Sequence, residues 1–130
     1  MWEGPPFRAK LVRIGRQTAV IEVSGEADFS AALEFKEVLL SSVEGQARTI
    51  IVDLTDASLT DNAILGTLVV GAERARSKSV RLDVICADQN VARIFEITGL
   101  DRIFGFYGSR DEALRAERRG NRLVAHSGRS

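Results

Sequence analysis

The spacing of apolar residues switches between two periods along the chain. Residues 7–14 alternate loosely, through Phe7, Ala9 and Leu11 and then Val12 and Ile14, the pattern of an edge strand. Gly15-Arg16-Gln17 supplies a turn, and residues 18–23 predict a second strand. The short connection favours antiparallel pairing of the two, and Gly25 is expected to end the run. Over residues 30–43 the period lengthens. Phe35, Val38, Leu39 and Val43 fall on one helical face, with Glu34, Lys36 and Glu37 on the other, and Gly45 closes the helix. Residues 49–54 then form a nearly continuous β-branched run, Ile50-Ile51-Val52 with Leu54. A strand of that kind wants cover on both faces, as in the centre of an α/β sheet.

A second helix is predicted from Asp61 or Asn62 to Ser77, burying Leu65, Leu68, Val69, Ala72 and Ala75. Gly66 and Gly71 within it suit close packing against a neighbour. Residues 81–87 give the next strand. Asp88 caps a short helix with Val91, Ile94 and Phe95 inward, stopped by Gly99 in the left-handed conformation. Residues 103–107 form a last strand. Ser109 and Glu112 make a capping box for a fourth helix ending near Arg119. The order ββαβαβαβα predicts an α/β fold: a mixed sheet of about five strands with about four helices, parallel after an antiparallel start. Residues 1–119 form the single expected domain, and the polar, aperiodic segment 120–130 reads as a disordered C-terminal tail.

Composition narrows the chemistry. The chain has 130 residues, 45% apolar and 28% charged, as expected of one globular domain. Lys+Arg and Asp+Glu both number 18, so no overall field attracts nucleic acid or an anionic membrane. No apolar stretch is long enough for membrane insertion, and no signal-peptide core begins the chain. The single Cys86, in the run Val84-Ile85-Cys86-Ala87, reads as a buried small hydrophobe, and a reducing cytoplasm suits it. His126 is the one histidine and falls in the expected tail, so no Ser-His or Cys-His pair has a rigid platform. Asp53, Asp56 and Asp61 lack the glycine spacing and terminal Glu of a calcium loop. The arginines of the last stretch are interleaved with Asp111, Glu112 and Glu117, as on a solvated helix face. Catalytic, metal and cofactor sites are therefore not expected.

The segment 52–62 stands out: a buried strand passes through polar residues into a helix start, at the edge of the sheet where α/β folds place function. Here the residues resemble a known family. Gly25-Glu26-Ala27-Asp28 is similar to the G-E-L-D element of STAS domains, and Ile51-Val52-Asp53-Leu54 to their V-V-D-L strand. Leu59-Thr60-Asp61-Asn62-Ala63-Ile64-Leu65-Gly66 resembles F-I-D-S-S-G-L-G. Thr98-Gly99-Leu100-Asp101-Arg102-Ile103-Phe104 resembles T-G-L-D-R-L-F, and Asp111-Glu112-Ala113-Leu114 the closing E-E-A-L.

The resemblance, strongest to anti-sigma factor antagonists, implies a protein-binding regulator and not an enzyme. In that type the unphosphorylated domain captures an anti-sigma factor that is also a serine kinase, and so frees a sigma factor. Phosphorylation of the serine after the loop aspartate breaks the complex, because a dianionic phosphate brings repulsion and a desolvation cost. Carried over residue by residue, the partner surface is Asp28, Thr60, Asp61, Asn62, Ala63 and Ile64. The phosphoserine position is Asn62, which has no hydroxyl, and Ile64 replaces a glycine. Three readings stay open: a permanently engaged antagonist; a switch moved to Thr60 or, behind it, Thr67 or Ser58; or a scaffold or accessory subunit of a larger signalling or membrane-associated complex. A homodimer is compatible with each. Asp28 serves equally as a helix cap.

Overall fold

The computed structural model describes residues 6–59 and 63–127, with side-chain surroundings for all of these except 59 and 119–127. Five strands form one sheet in the order β1-β2-β3-β4-β5. They are β1 (Arg8–Arg13), β2 (Thr18–Ala27), β3 (Thr49–Leu59), β4 (Arg81–Ile85) and β5 (Gly105–Tyr107). The helices are α1 (Phe29–Val43), α2 (Ala63–Ser77), α3 (Gln89–Thr98) and α4 (Arg110–Ser127). β1 runs antiparallel to β2, and every later neighbour is parallel. This is the predicted order, strand for strand.

Alternation along the strands decides which helix covers which face. On one face Ala19, Ile21 and Val23 of β2, Ile50, Val52 and Leu54 of β3, and Leu82 and Val84 of β4 meet Phe35 and Leu39 of α1, Leu65 and Leu68 of α2, and Phe95 of α3. The other face presents Val20, Ile51 and Ile85 to Ala113 of α4. Central β3 is thus covered on both sides, as its β-branched run requires. Cys86 is buried, and burial pushes its thiol pKa up, which suits a packing role.

Several boundaries differ from the sequence reading, each for a physical reason. β2 continues past Gly25, which takes φ +85° inside the strand, a conformation open to glycine at little cost. β3 continues past Leu54 to Leu59, because residues 56–59 keep pairing with 24–27 of β2 after an irregularity opposite Val23. There the Asp53 carboxylate accepts from Thr55 N at 3.0 Å, a local bond that stabilises the extra residue. Gly99, at φ +78°, ends α3 as predicted. Ile94, expected inward, is 36% exposed because α3 buries a single narrow stripe on Phe95. The strand expected from residue 103 begins at Gly105, since a 3-10 turn, Leu100–Arg102, intervenes. α4 runs on through Gly120 to Ser127 instead of ending near Arg119. Residues 128–130 of the expected tail lie outside the described residues.

Candidate functional site

The register of β2 on β3 builds one corner of the molecule. Gly25 pairs with Ala57, Glu26 with Ser58 and Ala27 with Leu59, so both strands reach the same sheet edge together. From there β2 turns at Asp28 into α1, and β3 leads through residues 60–62 into α2. The two sequence elements singled out as docking loops are therefore neighbours, joined by backbone pairing.

Asp28 is the N-cap of α1. Its carboxylate accepts from Ala31 N at 3.0 Å and from the Ser30 hydroxyl at 2.8 Å. Those bonds, the Ser30 hydroxyl first, hold its pKa below the ordinary aspartate range, so an exposed negative charge marks the corner. Thr60, Asp61 and Asn62 lie outside the described residues. Ala63, half-buried, opens α2, and its carbonyl accepts from the Thr67 hydroxyl at 3.2 Å. Ile64 departs from the expected partner surface. It is fully buried, packed in the core with Leu65 and Leu68, so it anchors the helix start and offers nothing to a visitor. Thr67 is buried with its hydroxyl turned onto its own helix, which removes it as an acceptor of phosphate in this conformation. Ser58 stays exposed at the strand end.

Two features were not singled out in the sequence. Arg110 at the start of α4 bridges Glu22 of β2 at 2.9 Å and Asp53 of β3 at 3.0 Å, pinning the helix over the sheet. These three border an open cleft of about 790 Å³ that also includes Lys10 and Asp56. Its lining sets Arg8, Lys10 and Arg110 against Glu22, Glu34, Asp53 and Asp56. The alternation that turns Glu22 and Asp53 toward α4 was available in the sequence, but their partner is 88 and 57 residues away. The second feature is Phe29 and Leu33, large apolar side chains exposed on α1. Their position off the Phe35, Leu39 and Val43 stripe was the signal. Among the described residues no group of His, Cys, Asp and Glu is arranged to hold a metal ion. No described helix is long and apolar enough to cross a membrane.

Comparison with known proteins follows the same geometry. The STAS domain model matches residues 9–113. An anti-sigma-B factor antagonist of Staphylococcus aureus is 31% identical over 80 residues, which cover 62% of this chain and 74% of that protein. Among solved structures, an anti-sigma factor antagonist from Mycobacterium paratuberculosis aligns with a TM-score of 0.76 at 24% identity, over 87% of this chain and 95% of its own. A sulfate transporter family protein from Wolinella succinogenes aligns with a TM-score of 0.66 at 17% identity, over 82% of this chain and 88% of its own. At such identities the two structures speak for the fold.

Proposed function

The chain belongs to the STAS domain family, and on that premise we propose that it is a protein-binding regulator of the anti-sigma factor antagonist type. It captures an anti-sigma factor with serine kinase activity and thereby frees a sigma factor, working by docking and not by catalysis. The observation that carries this reading is the paired end of β2 and β3, which brings the Asp28 turn and the entry to segment 60–62 to one exposed corner. The antagonist identity of the Staphylococcus aureus relative supports it. The docking residues are Asp28, Thr60, Asp61, Asn62 and Ala63, within a single domain of residues 1–119 acting in the cytoplasm.

Asn62 defines the regulation. An amide accepts no phosphate and carries no charge, so the surface stays in its binding-competent form. Incubation with the cognate kinase and ATP is expected to leave position 62 unmodified, whereas Asn62→Ser restores an acceptor. Mass spectrometry checks this. Phosphate found on native Thr60 would move the switch, and phosphate on exposed Ser58 would move it further.

A second reading, a scaffold or accessory subunit of a membrane-associated complex, is favoured by the likeness to the Wolinella succinogenes protein. Size measurement in solution separates the two. A monomer or simple homodimer agrees with the antagonist, and a large stable assembly agrees with the scaffold.

A further inference from the structure

The net charge of the chain is zero, yet cations gather at one end of the sheet, opposite the Asp28 corner. β2 to β5 are parallel, so their first residues share an edge, and β1 ends there too. Backbone bonds tie that edge into a row. Arg48 N donates to Gln17 O at 2.7 Å, and Arg81 N donates to Arg48 O at 2.8 Å. Exposed Arg16 precedes Gln17, and Arg13 Nη2 donates to its carbonyl at 3.0 Å. Two depressions that share Val80 open along the row. Arg48 and Lys78 line one; Arg76, Arg81 and Arg102 line the other. The carboxylates in them are already engaged. Glu44 pairs with Arg74 and with Lys78 at 3.1 Å, and buried Asp83 accepts from Arg81 at 3.0 Å. Glu73 and Asp101, next to Arg74 and Arg102 in sequence, line neither depression, and Glu117 is buried on the Thr18 hydroxyl. Arg48, Arg76 and Arg102 are thus exposed with no carboxylate partner among the described residues.

Cations at the end of α2 complement its dipole, which accounts for Arg74, Arg76 and Lys78. Arg48 and Arg81 stand at strand starts and Arg102 in a 3-10 turn, where no α-helix end calls for them. Unpaired like charges held together repel one another, a cost that an anionic visitor would remove. The walls between them choose the visitor. Ala72, Val80, Leu82 and Ile103 are apolar, and Ile103 is 55% exposed. A nucleic-acid strand wants aromatic platforms, and the one aromatic in either lining, Phe104, is buried. Leu82 is buried and Val80 half-buried, out of reach of a flat lipid surface. We propose that this edge is a docking groove for an acidic protein segment, with its carboxylates on Arg48, Arg76 and Arg102 and an aliphatic side chain against Val80 and Ile103. Neighbouring strands are about 4.8 Å apart, so the row from β2 to β5 spans about 14 Å, the length of about four extended residues. The groove lies at the other end of the sheet from the Asp28 corner and stands or falls separately from the antagonist reading.

The test titrates the full chain into a fluorescently labelled peptide in which Leu is flanked by Glu and Asp, and reads anisotropy. The same peptide with Gln and Asn for its acids, a single-stranded RNA and vesicles of anionic lipid are run beside it. The double variant Arg76→Gln/Arg102→Gln and the single variant Arg48→Gln are compared with wild type and with Lys36→Gln, an exposed cation of α1 outside both depressions. Expected is a loss of about tenfold or more in affinity for the double variant, a smaller loss for Arg48→Gln and none for Lys36→Gln. Wild-type binding weakens as salt rises and is absent for the neutral peptide. Melting temperatures of the arginine variants match or exceed wild type, because no ion pair is removed; a purely structural role for these arginines would lower them. Double-variant affinity equal to wild type overturns the groove, as does the absence of wild-type binding at about 1 mM peptide. Tighter binding of the RNA or the vesicles than of the acidic peptide overturns it in favour of that polyanion.

Discussion

Asp83 is a carboxylate placed inside the fold. It is fully buried on β4, where Arg81 Nε donates to its Oδ1 at 3.0 Å and Oδ2 has no hydrogen-bond partner among the described residues. A Cβ at position 105 would stand 2.3 Å from Oδ1, so glycine there leaves room for the carboxylate. Burial pushes its pKa up, against the opposing pull of Arg81, and nearby Glu117 adds to the rise. The folded chain therefore holds this proton more tightly than the unfolded chain. The resulting stabilisation is complete below about pH 4, the ordinary aspartate value, and is lost as pH rises through the elevated pKa. Asp83→Asn keeps the shape without the charge. Its melting temperature relative to wild type is expected to rise as pH climbs above about 4 and to level off once the elevated pKa is passed. A variant that loses ground with rising pH would show that the Arg81 pair outweighs burial.

Within α2, neighbouring glycines have opposite roles, and substitution separates them. Gly71 is buried against Leu39 of α1, so Gly71→Ala is expected to cost about 1–3 kcal/mol by overpacking. Gly66 has open space around its Cβ position, so Gly66→Ala is expected to gain about 0.5–1 kcal/mol from helix propensity. Leu68, fully buried in the main core, should lose about 2–5 kcal/mol on replacement by alanine. Denaturant unfolding measures all three; a neutral Leu68→Ala would mean that this face of α2 is not packed as described. The sequence suggested close packing at both glycines, and only Gly71 provides it. Periodicity places a glycine on a helix but does not say which flank meets a neighbour. The same limit applied to Ile64, which one residue of register takes from the partner surface into the core.

At the scale of the whole molecule, the strand and helix order was legible because the spacing of apolar residues changes from element to element and turn or cap residues separate them, as at Asp88 and Gly99. Residues 55–59 were not legible as strand: Thr, Asp and Ser resemble a loop, and only pairing with β2 extends them. Contacts fastening α4 to the opposite face were equally hidden. Arg110 on Glu22 and Asp53, and the Thr18 hydroxyl on Glu117, join residues that no local pattern connects. The corner itself emerged half from each source, its motifs from sequence and its adjacency from sheet register. That corner as a docking surface is the central claim. A titration of the purified chain against the serine-kinase anti-sigma factors of its own genome tests it most directly. A stoichiometric complex that is lost when the 60–63 segment is altered is the predicted result. No complex with any of them at tens of micromolar would contradict it.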